Sequence, residues 1–346
     1  MNEKIIDISN EILESIASEI RTELSTKSQF FITGGTGIIG KWLLATLTHL
    51  KVTSHFDLKV TILSRNPERF KKQYPDFNWV DYIKGDIQNP ISANLQNIDY
   101  FIHGATDVIS QNSYDQILKT TILGTLNALQ FAEICGAKKF HLISSGAVYG
   151  KSICPEEGFN ESQISYIDFL NTNSAYALGK MSSEAAVFNW ESRCIQVKNI
   201  SRLFANYGEH VPLESHFAIA NFINDAVIKK EGIVITGDGL AQRSYLHVSD
   251  IARAVLKIAI LGQGSDQAYN VGSPHKMTIK QLAKTVINVA GEDNIINVLG
   301  NKSNQAHSDT YFPCVEKYEK QFGKIQNIDF EDGLIEYIHW GKSLYE

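Results

Sequence analysis

A tyrosine and a lysine four residues apart form the pattern in this chain with the clearest chemical potential. Tyr176 and Lys180 stand in Ser-Ala-Tyr-Ala-Leu-Gly-Lys-Met, and on a helix this spacing puts both side chains on one face. A free tyrosine has a pKa of about 10, which a neighbouring ammonium is expected to lower. The pair is predicted to act as a general acid/base beside a carbonyl or hydroxyl, although the same spacing is also common on an exposed helix face.

Two serines end a predicted strand shortly before this pair. Ser144 and Ser145 precede Gly146-Ala147-Val148-Tyr149-Gly150. The Ser145 hydroxyl is placed to hydrogen-bond a reacting oxygen beside Tyr176. The alternative is that it only caps the end of the strand.

A second motif, a glycine-rich turn early in the chain, has the spacing of a ligand-binding loop. Residues 33–40 read Thr-Gly-Gly-Thr-Gly-Ile-Ile-Gly, between the apolar run at 29–32 and an apolar helix pattern. The glycines at 35, 37 and 40 fit the dinucleotide fingerprint in the strand–turn–helix setting that it requires. Glycine permits a positive φ, close approach to a pyrophosphate and tight packing of helix on strand. The helix N-terminus would offer free N–H donors to phosphate. The alternative is a tight structural turn.

Strands and helices alternate through the first half of the chain. Strand-like runs occupy 29–32, 58–63, 81–84, 100–103 and 140–144, with helical patterns between them, notably 114–135. This alternation predicts an α/β fold with a doubly wound parallel sheet and helices on both faces, of Rossmann type. Ligands of such sheets lie at the carboxyl ends of the strands, and small or polar residues follow each predicted strand.

Three regions are predicted. An amphipathic helix occupies residues 1–27, a dinucleotide-binding domain 28–204, and a smaller substrate lobe, interleaved with the last strands of the sheet, mainly 205–346. Helical patterns at 250–261 and 279–290 fall within the lobe, and a short helix is expected over 330–346. The first helix is expected to pack on its own domain; an oligomer contact or a membrane-surface role is the alternative, and its acidic face disfavours an anionic membrane.

Composition excludes several classes of protein. The net charge is −6 with no long basic run, so nucleic acid is not an expected partner. The four cysteines lack metal-ligand spacing, so no metal site is expected, and the thiols indicate a reduced, cytoplasmic protein. Neither a membrane span nor a secretion signal is predicted.

These motifs, in this order, resemble those of the extended short-chain dehydrogenase/reductases, in the branch of NAD-dependent epimerases and dehydratases that modify nucleotide sugars. The resemblance runs from about residue 28 to about 325. It also rests on His103-Gly104-Ala105-Thr106, Gly124-Thr125, Gly237-Asp238-Gly239, Gln242-Arg243-Ser244-Tyr245, His247-Val248, Asp250 and Tyr269-Asn270-Val271-Gly272.

The resemblance implies a role for individual residues. Tyr176 is the expected acid/base, Lys180 holds the nicotinamide ribose and tunes the tyrosine, and Ser145 orients the substrate oxygen. Expected substrate contacts, besides Ser145, are Asn206, Phe217 and Arg243, whose forked donor suits a diphosphate. Expected cofactor contacts, besides Tyr176 and Lys180, are Gly34, Gly35, Thr36, Gly37, Ile38, Ile39, Gly40, Arg65, Asp86, Ile87, Gly104, Ala105, Thr106 and Ser144.

The second predicted strand bears on the choice of cofactor. NAD-specific folds place an acid after it to bind the ribose 2′-hydroxyl, but this chain has Leu63-Ser64-Arg65-Asn66. Arg65 can pair with a 2′-phosphate, so NADP(H) is favoured over NAD(H). The alternative is that Arg65 only stacks on the adenine.

Departures from the family pattern narrow the reaction. The 4,6-dehydratases have an Asp-Glu pair where this chain has Gly146 and Ala147, and neither side chain can move a proton. The related decarboxylases tend to keep a glutamate there. Chemistry that needs only hydride transfer and one acid/base remains: ketone reduction, alcohol oxidation or 4-epimerisation. The preference for NADP(H) makes reduction of a 4-keto sugar the favoured activity. A 4-epimerase, a dehydratase or decarboxylase using acids from elsewhere (Glu156, Glu157 or Glu161), and a non-catalytic dinucleotide-binding protein are the alternatives.

Other departures concern the substrate. Thr121 stands where the family often has asparagine, and no arginine that would complete a diphosphate clamp is evident over 301–313. The predicted partner is a nucleotide-diphosphate sugar. Relatives that dimerise through two helices per subunit imply a homodimer, here through 114–135 and 176–193.

Overall fold

A computed structural model describes residues 8–106, 113–214, 217–264, 267–291, 295–300 and 309–345. The chain divides into two compact units. Unit 1 comprises Met1–Ser152, Ile164–Leu203 and Ala252–Tyr269, and unit 2 comprises Ile153–Gln163, Phe204–Ile251 and Asn270–Glu346. The predicted boundary at 204/205 lies one residue from the change of unit after Leu203. The segment 252–269, however, returns to unit 1, and 153–163 belongs to unit 2.

The strands, numbered along the chain, are β1 (Gln29–Thr33), β2 (Lys59–Ser64), β3 (Asp81–Lys84), β4 (Tyr100–His103), β5 (Lys139–Ser145), β6 (Val197–Leu203), β7 (Asn206–Tyr207), β8 (Ile233–Ile235), β9 (Gln242–Ser244), β10 (Leu246–His247), β11 (Gln267–Val271), β12 (Lys276–Thr278), β13 (Ile296–Val298) and β14 (Thr310–Tyr311).

The α-helices are α1 (Asn10–Arg21), α2 (Ile38–Thr53), α3 (Pro67–Gln73), α4 (Tyr114–Leu118), α5 (Gly124–Ile134), α6 (Ala175–Phe188), α7 (Ala218–Ile223), α8 (Val248–Leu261), α9 (Ile279–Ala290), α10 (Glu316–Phe322) and α11 (Phe330–Ser343). Two π-helical segments, Lys119–Leu123 and Asn224–Ile228, continue α4 into α5 and extend α7.

The main sheet has seven strands in the order β11-β6-β5-β4-β1-β2-β3. Pairing is parallel from β6 through to β3. The order β3-β2-β1-β4-β5-β6 is that of a dinucleotide-binding Rossmann sheet, whose order reverses between β1 and β4. The predicted fold class is confirmed, and the predicted strands lie within one residue of the observed ones.

The strands form where sequence and burial agree. The apolar run before the glycine turn becomes β1, of which Phe30, Phe31 and Ile32 are buried. Near-continuous apolar runs are typical of parallel strands covered on both faces. The ring of Phe31 packs at a tilt against those of Phe101 in β4 and Phe131 in α5. These contacts fix the sheet at the point where its order reverses.

The first helix packs within unit 1. Ile16, Ala17 and Ile20 of α1 are fully buried, and Glu19 forms ion pairs with the buried Arg253 and Lys257 of α8. The expectation that this helix packs on its own domain is confirmed for Asn10–Arg21. The predicted helix also covers residues 1–7, which lie outside the described residues.

Unit 2 is built from small sheets and helices. Strands β10 and β7 pair in parallel, β12-β9-β14 form a three-stranded sheet, and β13 pairs with β8. A capping box at Thr278 begins α9, and Gly291 ends it in the left-handed conformation. The helix α11 begins at Asp329, whose side chain accepts from the N–H groups of Glu331 and Asp332. No helix in the described ranges is both long and apolar enough to span a bilayer.

Candidate active site

A cleft of about 320 Å³ lies in unit 1 at the carboxyl ends of the strands. The cleft is lined by Gly34, Thr36, Gly37, Leu63, Ser64, Arg65, Gly85, Asp86, Ile87, Gly104, Ala105, Thr106 and Thr120. Nine of these were expected cofactor contacts. Leu63, Ser64, Gly85 and Thr120 were not, although Ser64 and Gly85 immediately precede the expected residues Arg65 and Asp86. Thr120 lies in the π-helical segment, which nothing in the sequence marked.

The glycine turn is shaped as a dinucleotide requires. Gly34 has φ +76°, and a Cβ there would lie 2.5 Å from the carbonyl carbon of Gly104. A Cβ on Gly40 would lie 2.4 Å from the carbonyl oxygen of Gly34. A Cβ on Gly37 would lie 3.2 Å from the carbonyl oxygen of Gly34. Gly37 is the N-cap of α2, and no side chain caps the helix. The turn is therefore closely packed, while the first N–H groups of α2 are available to a phosphate.

A buried hydroxyl supports the assignment of this cleft to a nucleotide. Thr106 Oγ1 is buried without a hydrogen-bond partner in the part of the chain that the structure describes. Such orphaned groups are uncommon in folded proteins. A dinucleotide, with many acceptor oxygens, would satisfy it. The residues present thus fit a dinucleotide cofactor.

Ser145, Tyr176 and Lys180 are brought together in unit 1. Lys180 Nζ lies 5.9 Å from the centre of the Tyr176 ring and donates to the carbonyl oxygen of Ile143 at 2.8 Å. The Ser145 hydroxyl accepts from the N–H of Ala147 at 3.1 Å and is near enough to the Tyr176 phenol to lower its pKa. The last residues of β5 therefore face the first turns of α6.

Burial dominates the pKa values of this group. It raises the pKa of Tyr176 to about 12, against a smaller lowering by the Ser145 hydroxyl. It also lowers the pKa of Lys180 to about 8, against an opposing effect of the Glu184 carboxylate. The expected lowering of the tyrosine pKa by the lysine is therefore wrong here: desolvation of the phenol outweighs it.

A chain of buried side chains connects the glycine turn to α6. Thr33 Oγ1 accepts from the N–H groups of Gly104 and Ala105 at 3.2 Å each and lies 2.7 Å from His103 Nδ1. His103 Nε2 lies 3.2 Å from Thr125 Oγ1. Beyond it, Thr125 donates to Ser183 Oγ, which donates to the carbonyls of Thr121 and Gly179.

His103 is uncharged within this chain of contacts. Burial, followed by the nearby Lys180, lowers the pKa of His103 to about 3. A neutral imidazole has one donor and one acceptor nitrogen, which matches two hydroxyl neighbours. His103 was expected only as part of the strand end near the nicotinamide; its function as a bridge depends on partners from other elements.

Of the remaining expected cofactor residues, Ser144 is directed elsewhere. Its hydroxyl donates to Glu184 Oε1 at 2.6 Å. Gly35, Ile38 and Ile39 lie in the glycine turn and at the start of α2, beside the lining of the cleft. Their contacts with a cofactor, like those of Ser144, remain predictions.

The expected substrate residues in unit 2 lie on separate elements. Arg243, in β9, binds Asp309: Nη2 donates to Oδ2 and Nη1 to the backbone oxygen, each at 2.6 Å. Asn206, in β7, has a buried Oδ1 with no partner among the described residues. Phe217 is the N-cap of α7. Most of the stretch 301–313, which has no arginine to complete a diphosphate clamp, lies outside the described residues, as do Ser215 and His216.

No group of histidine, cysteine, aspartate or glutamate within the described ranges could hold a metal ion. The four cysteines are free thiols. The cytoplasmic location remains a prediction.

The sheet order and the glycine cleft define a dinucleotide-binding enzyme fold. Consistent with this, the sequence profile of the NAD dependent epimerase/dehydratase family matches residues 30–272. The chain belongs to this family.

Several characterised or structurally solved proteins are similar to this chain. UDP-glucuronic acid decarboxylase 1 of Arabidopsis thaliana is 26% identical over 254 residues, covering 73% of this chain and 57% of that protein. UDP-N-acetylglucosamine 4-epimerase from Methanobrevibacter ruminantium M1, solved with UDP-N-acetylmuramic acid, is 23% identical, with a TM-score of 0.76 and coverage of 92% and 99% of the two chains. DesIV, a dTDP-glucose 4,6-dehydratase from Streptomyces venezuelae solved with NAD and TYD, is 21% identical, with a TM-score of 0.76 and coverage of 91% and 97%. The solved structures establish the fold.

Proposed function

We propose that this enzyme reduces the C4 ketone of a nucleotide-linked 4-keto sugar with NADP(H). One observation carries the proposal. Ser145, Tyr176 and Lys180 are assembled at the end of β5, while the two positions after Ser145 are Gly146 and Ala147. The site has one acid/base and lacks the adjacent carboxyls of the dehydratases.

Each residue has a defined task in this reaction. A bound nicotinamide cofactor supplies the hydride. Tyr176 donates a proton to the oxygen at sugar C4, Ser145 orients that oxygen, and the Lys180 ammonium stabilises the negative charge left on the phenol. The raised pKa of Tyr176 keeps the phenol protonated at neutral pH, as a proton donor requires.

Two carboxylates, Glu184 and Glu161, are engaged in other contacts. Glu184 in unit 1 is bound by Arg202 through three contacts of 2.7–3.1 Å. In unit 2, Glu161, one of the expected substitutes, accepts from the N–H of Asn270 at 2.7 Å. This supports a reaction that moves one hydride and one proton.

The substrate class follows from the family and from Arg243. The relatives named above act on, or are bound to, UDP- and dTDP-linked compounds. A forked guanidinium suits a diphosphate. The proposed substrate is therefore a nucleoside-diphosphate 4-keto-6-deoxy sugar.

Arg65 supports NADP(H) over NAD(H). It follows β2, is exposed and lines the cleft together with Asp86. No acid stands after β2 to bind a ribose 2′-hydroxyl, whereas a guanidinium can pair with a 2′-phosphate. DesIV was solved with NAD, so the proposed preference distinguishes this chain from that neighbour.

The test is absorbance at 340 nm, using NADPH or NADH with a panel of nucleotide-linked 4-keto-6-deoxy sugars. Stoichiometric oxidation of NADPH with one sugar is expected, and Arg65→Ala should reduce the preference for NADPH at least tenfold. Tyr176→Phe serves as the control: it should bind NADPH, measured by fluorescence, yet turn over at least a thousandfold more slowly. An active Phe variant, or unchanged absorbance despite cofactor binding, would refute the mechanism.

A 4-epimerase is the second candidate, favoured by the similarity to the UDP-N-acetylglucosamine 4-epimerase. It uses the same three residues but consumes no net cofactor. Chromatography of saturated nucleotide sugars incubated with the enzyme and NAD would detect an epimer, or a dehydrated or decarboxylated product.

A homodimer is also proposed. Leu126 and Ile134 of α5, with Leu123 just before it, are 38%, 57% and 46% exposed. This apolar surface belongs to one of the two helical segments expected to form a bundle between subunits. Light scattering after size exclusion should give a dimer, and Leu126→Lys should give a monomer.

A further inference from the structure

Two turns of α6 are fixed to consecutive residues of β5. Lys180 and Glu184 share one face of the helix because they are four residues apart. Lys180 Nζ donates to the carbonyl oxygen of Ile143 at 2.8 Å. Glu184 Oε1 accepts from the hydroxyl of Ser144 at 2.6 Å. The helix that carries Tyr176 is thereby held to the strand that carries Ser145.

Arg202 extends these contacts to the turn after the strand. It lies opposite Ser144 on the neighbouring parallel strand β6. Its Nη2 donates to Glu184 Oε2 at 2.7 Å, and its Nη1 donates to the hydroxyl of Tyr149 at 2.9 Å. Tyr149 is fully buried and ends the 3₁₀ turn Gly146–Tyr149. Only a forked, planar cation can serve both partners at once.

Ser145 lies between the two residues that this ion pair holds. Ser144 on one side is bound by Glu184, and Tyr149 at the other end of the turn is bound by Arg202. The side chains of Glu184 and Arg202 are only 6% and 13% exposed. Buried ion pairs contribute little net stability relative to apolar packing, so stability alone does not account for this one.

We propose that the Glu184–Arg202 pair is a positioning device for the reaction: it fixes the turn after β5 so that the Ser145 hydroxyl and the Tyr176 phenol share one substrate oxygen. The two residues act through Ser144 and Tyr149 and touch neither substrate nor cofactor. This inference rests on the proposed function for its kinetic readout, but not for its structural readout.

The kinetic test uses variants that remove one link each. Ser144→Ala removes the link from Glu184 to β5, Tyr149→Phe removes the hydroxyl bound by Arg202, and Arg202→Lys keeps the charge but loses the fork. Each single loss is expected to lower kcat three- to tenfold, and Arg202→Lys more than tenfold. The dissociation constant of NADPH should stay within twofold of the wild-type value in Tyr149→Phe and Arg202→Lys.

A structural readout needs no substrate. Hydrogen–deuterium exchange over 143–150 should accelerate at least tenfold in Ser144→Ala/Tyr149→Phe, while the glycine turn at 34–40 is unchanged. These two substitutions keep the ion pair, so the double variant is expected to fold even if Arg202→Lys does not.

The matched control is Glu19→Gln. Glu19 on α1 also pairs with buried cations, Arg253 and Lys257 of α8, in unit 1, and Arg253 also donates to Ser15 of α1, so this cluster joins α1 to α8. The Glu19→Gln substitution should lower thermal stability without changing kcat or the hydrogen–deuterium exchange of residues 143–150. The inference is overturned if exchange of the turn is unchanged in the double variant, or if kcat falls no more than in Glu19→Gln. A wild-type enzyme inactive on every sugar refutes the proposed function instead, and leaves the exchange result to decide this inference.

Discussion

Lys180 is the residue in the candidate site whose charge changes nearest to neutral pH. Its pKa is lowered to about 8 by burial. Two titratable groups around it do not change charge in this range: burial raises the pKa of Tyr176 to about 12 and lowers that of His103 to about 3. A change of activity near pH 8 would therefore report Lys180.

The first prediction is a loss of activity above this pH. Because the ammonium is the required form, kcat/KM for ketone reduction should be constant below about pH 7 and fall as pH rises through about 8. Above that, the fall should approach tenfold per pH unit. Glu184→Gln should move the fall to lower pH, since the Glu184 carboxylate opposes the lowering of the Lys180 pKa.

Lys41 provides the control, because burial also lowers its pKa to about 8. It lies beside Tyr74, with Nζ 3.3 Å from the phenol oxygen. Lys41→Met should keep the alkaline fall in kcat/KM. If that variant abolishes the fall, its assignment to Lys180 is wrong.

Arg243 gives a second prediction at the residue scale. Its guanidinium is bound by the largely exposed Asp309, which a substrate diphosphate would have to displace. Asp309→Asn should therefore lower KM for the nucleotide sugar about three- to tenfold while kcat is unchanged. Initial-rate kinetics at two salt concentrations test this. An unchanged KM would mean that Asp309 does not compete, and Arg243→Ala should raise KM in either case.

The residues of the site differ in how far the sequence predicts them. Spacing and motif predict Tyr176, Lys180 and Ser145. Glu184 continues the same four-residue spacing on α6, so helical spacing is enough to place it on the same face. The positions of Arg202 and Tyr149 beside Glu184 could not be predicted, because they depend on the pairing of β5 with β6. The direction in which the pKa of Tyr176 shifts depends on burial, which sequence spacing does not encode.

At the scale of elements, the contact between the π-helical segment and α6 is unusually close. A Cβ on Gly179 would lie 2.1 Å from Thr121 Oγ1 and 2.9 Å from Thr121 Cβ. Gly179 directly precedes Lys180, and Thr121 stands where the family often has asparagine. The two residues therefore set the distance between Lys119–Leu123 and the helix that carries Tyr176.

We expect Gly179→Ala to push these elements apart. It should reduce stability by about 1–3 kcal/mol, the usual cost of overpacking, and lower kcat more than tenfold. Thr121→Ala in the same chain removes Oγ1 and Cγ2 and should restore more than half of both losses. Thermal unfolding measures the loss of stability, and initial rates measure the loss of kcat.

The matched control for this pair is Gly237→Ala. A Cβ at Gly237 meets no atom within 4 Å, and its φ is not in the left-handed region. It should change stability by less than about 0.5 kcal/mol, as an open surface site does. If Gly179→Ala is equally harmless, or Thr121→Ala restores nothing, the close contact does not position α6.

Element type was more predictable than local helix geometry. The strands β3 and β4 and the helix α9 have the predicted bounds, because apolar runs and a capping box mark them. The stretch 114–135 reads as one helix, yet the structure contains a π-helical segment at Lys119–Leu123. The apolar spacing of this segment is too similar to that of an α-helix to reveal the wider turn of a π-helix, whose hydrogen bonds join residues i and i+5.

At the scale of the molecule, the chain passes five times between the two units. Residues 153–163 join unit 2, and 252–269 return to unit 1, where Lys139 Nζ donates to the carbonyl oxygens of Ile260 and Gly262. A helical pattern such as that of α8 indicates which face is apolar but not which unit covers it. The order of the two units along the sequence was therefore easier to predict than which segments belong to each unit.

Unit 1 also contains two buried, uncharged histidines that make its stability depend on pH. Burial lowers the pKa of both His103 and His141 to about 3, against about 6.5 in an unfolded chain. Because the folded values are depressed, their stabilising effect is complete above pH 6.5 and is lost as pH falls from 6.5 towards 3. In that window the unfolded chain binds up to two more protons than the folded one.

The free energy of unfolding should therefore fall by about 4 kcal/mol between pH 7.5 and 5 on account of these two residues. Urea unfolding followed by tryptophan fluorescence measures it, since Trp42 is fully buried in unit 1. His141→Asn should remove about half of the fall, while His275→Asn, at an exposed position in unit 2, should leave it intact. His141 is the better probe because it contacts Ser201 and takes no part in the bridge from the glycine turn to α6. A flat profile in the wild-type protein, or an equal fall in all three proteins, would show that the buried imidazoles do not control the acid stability of unit 1.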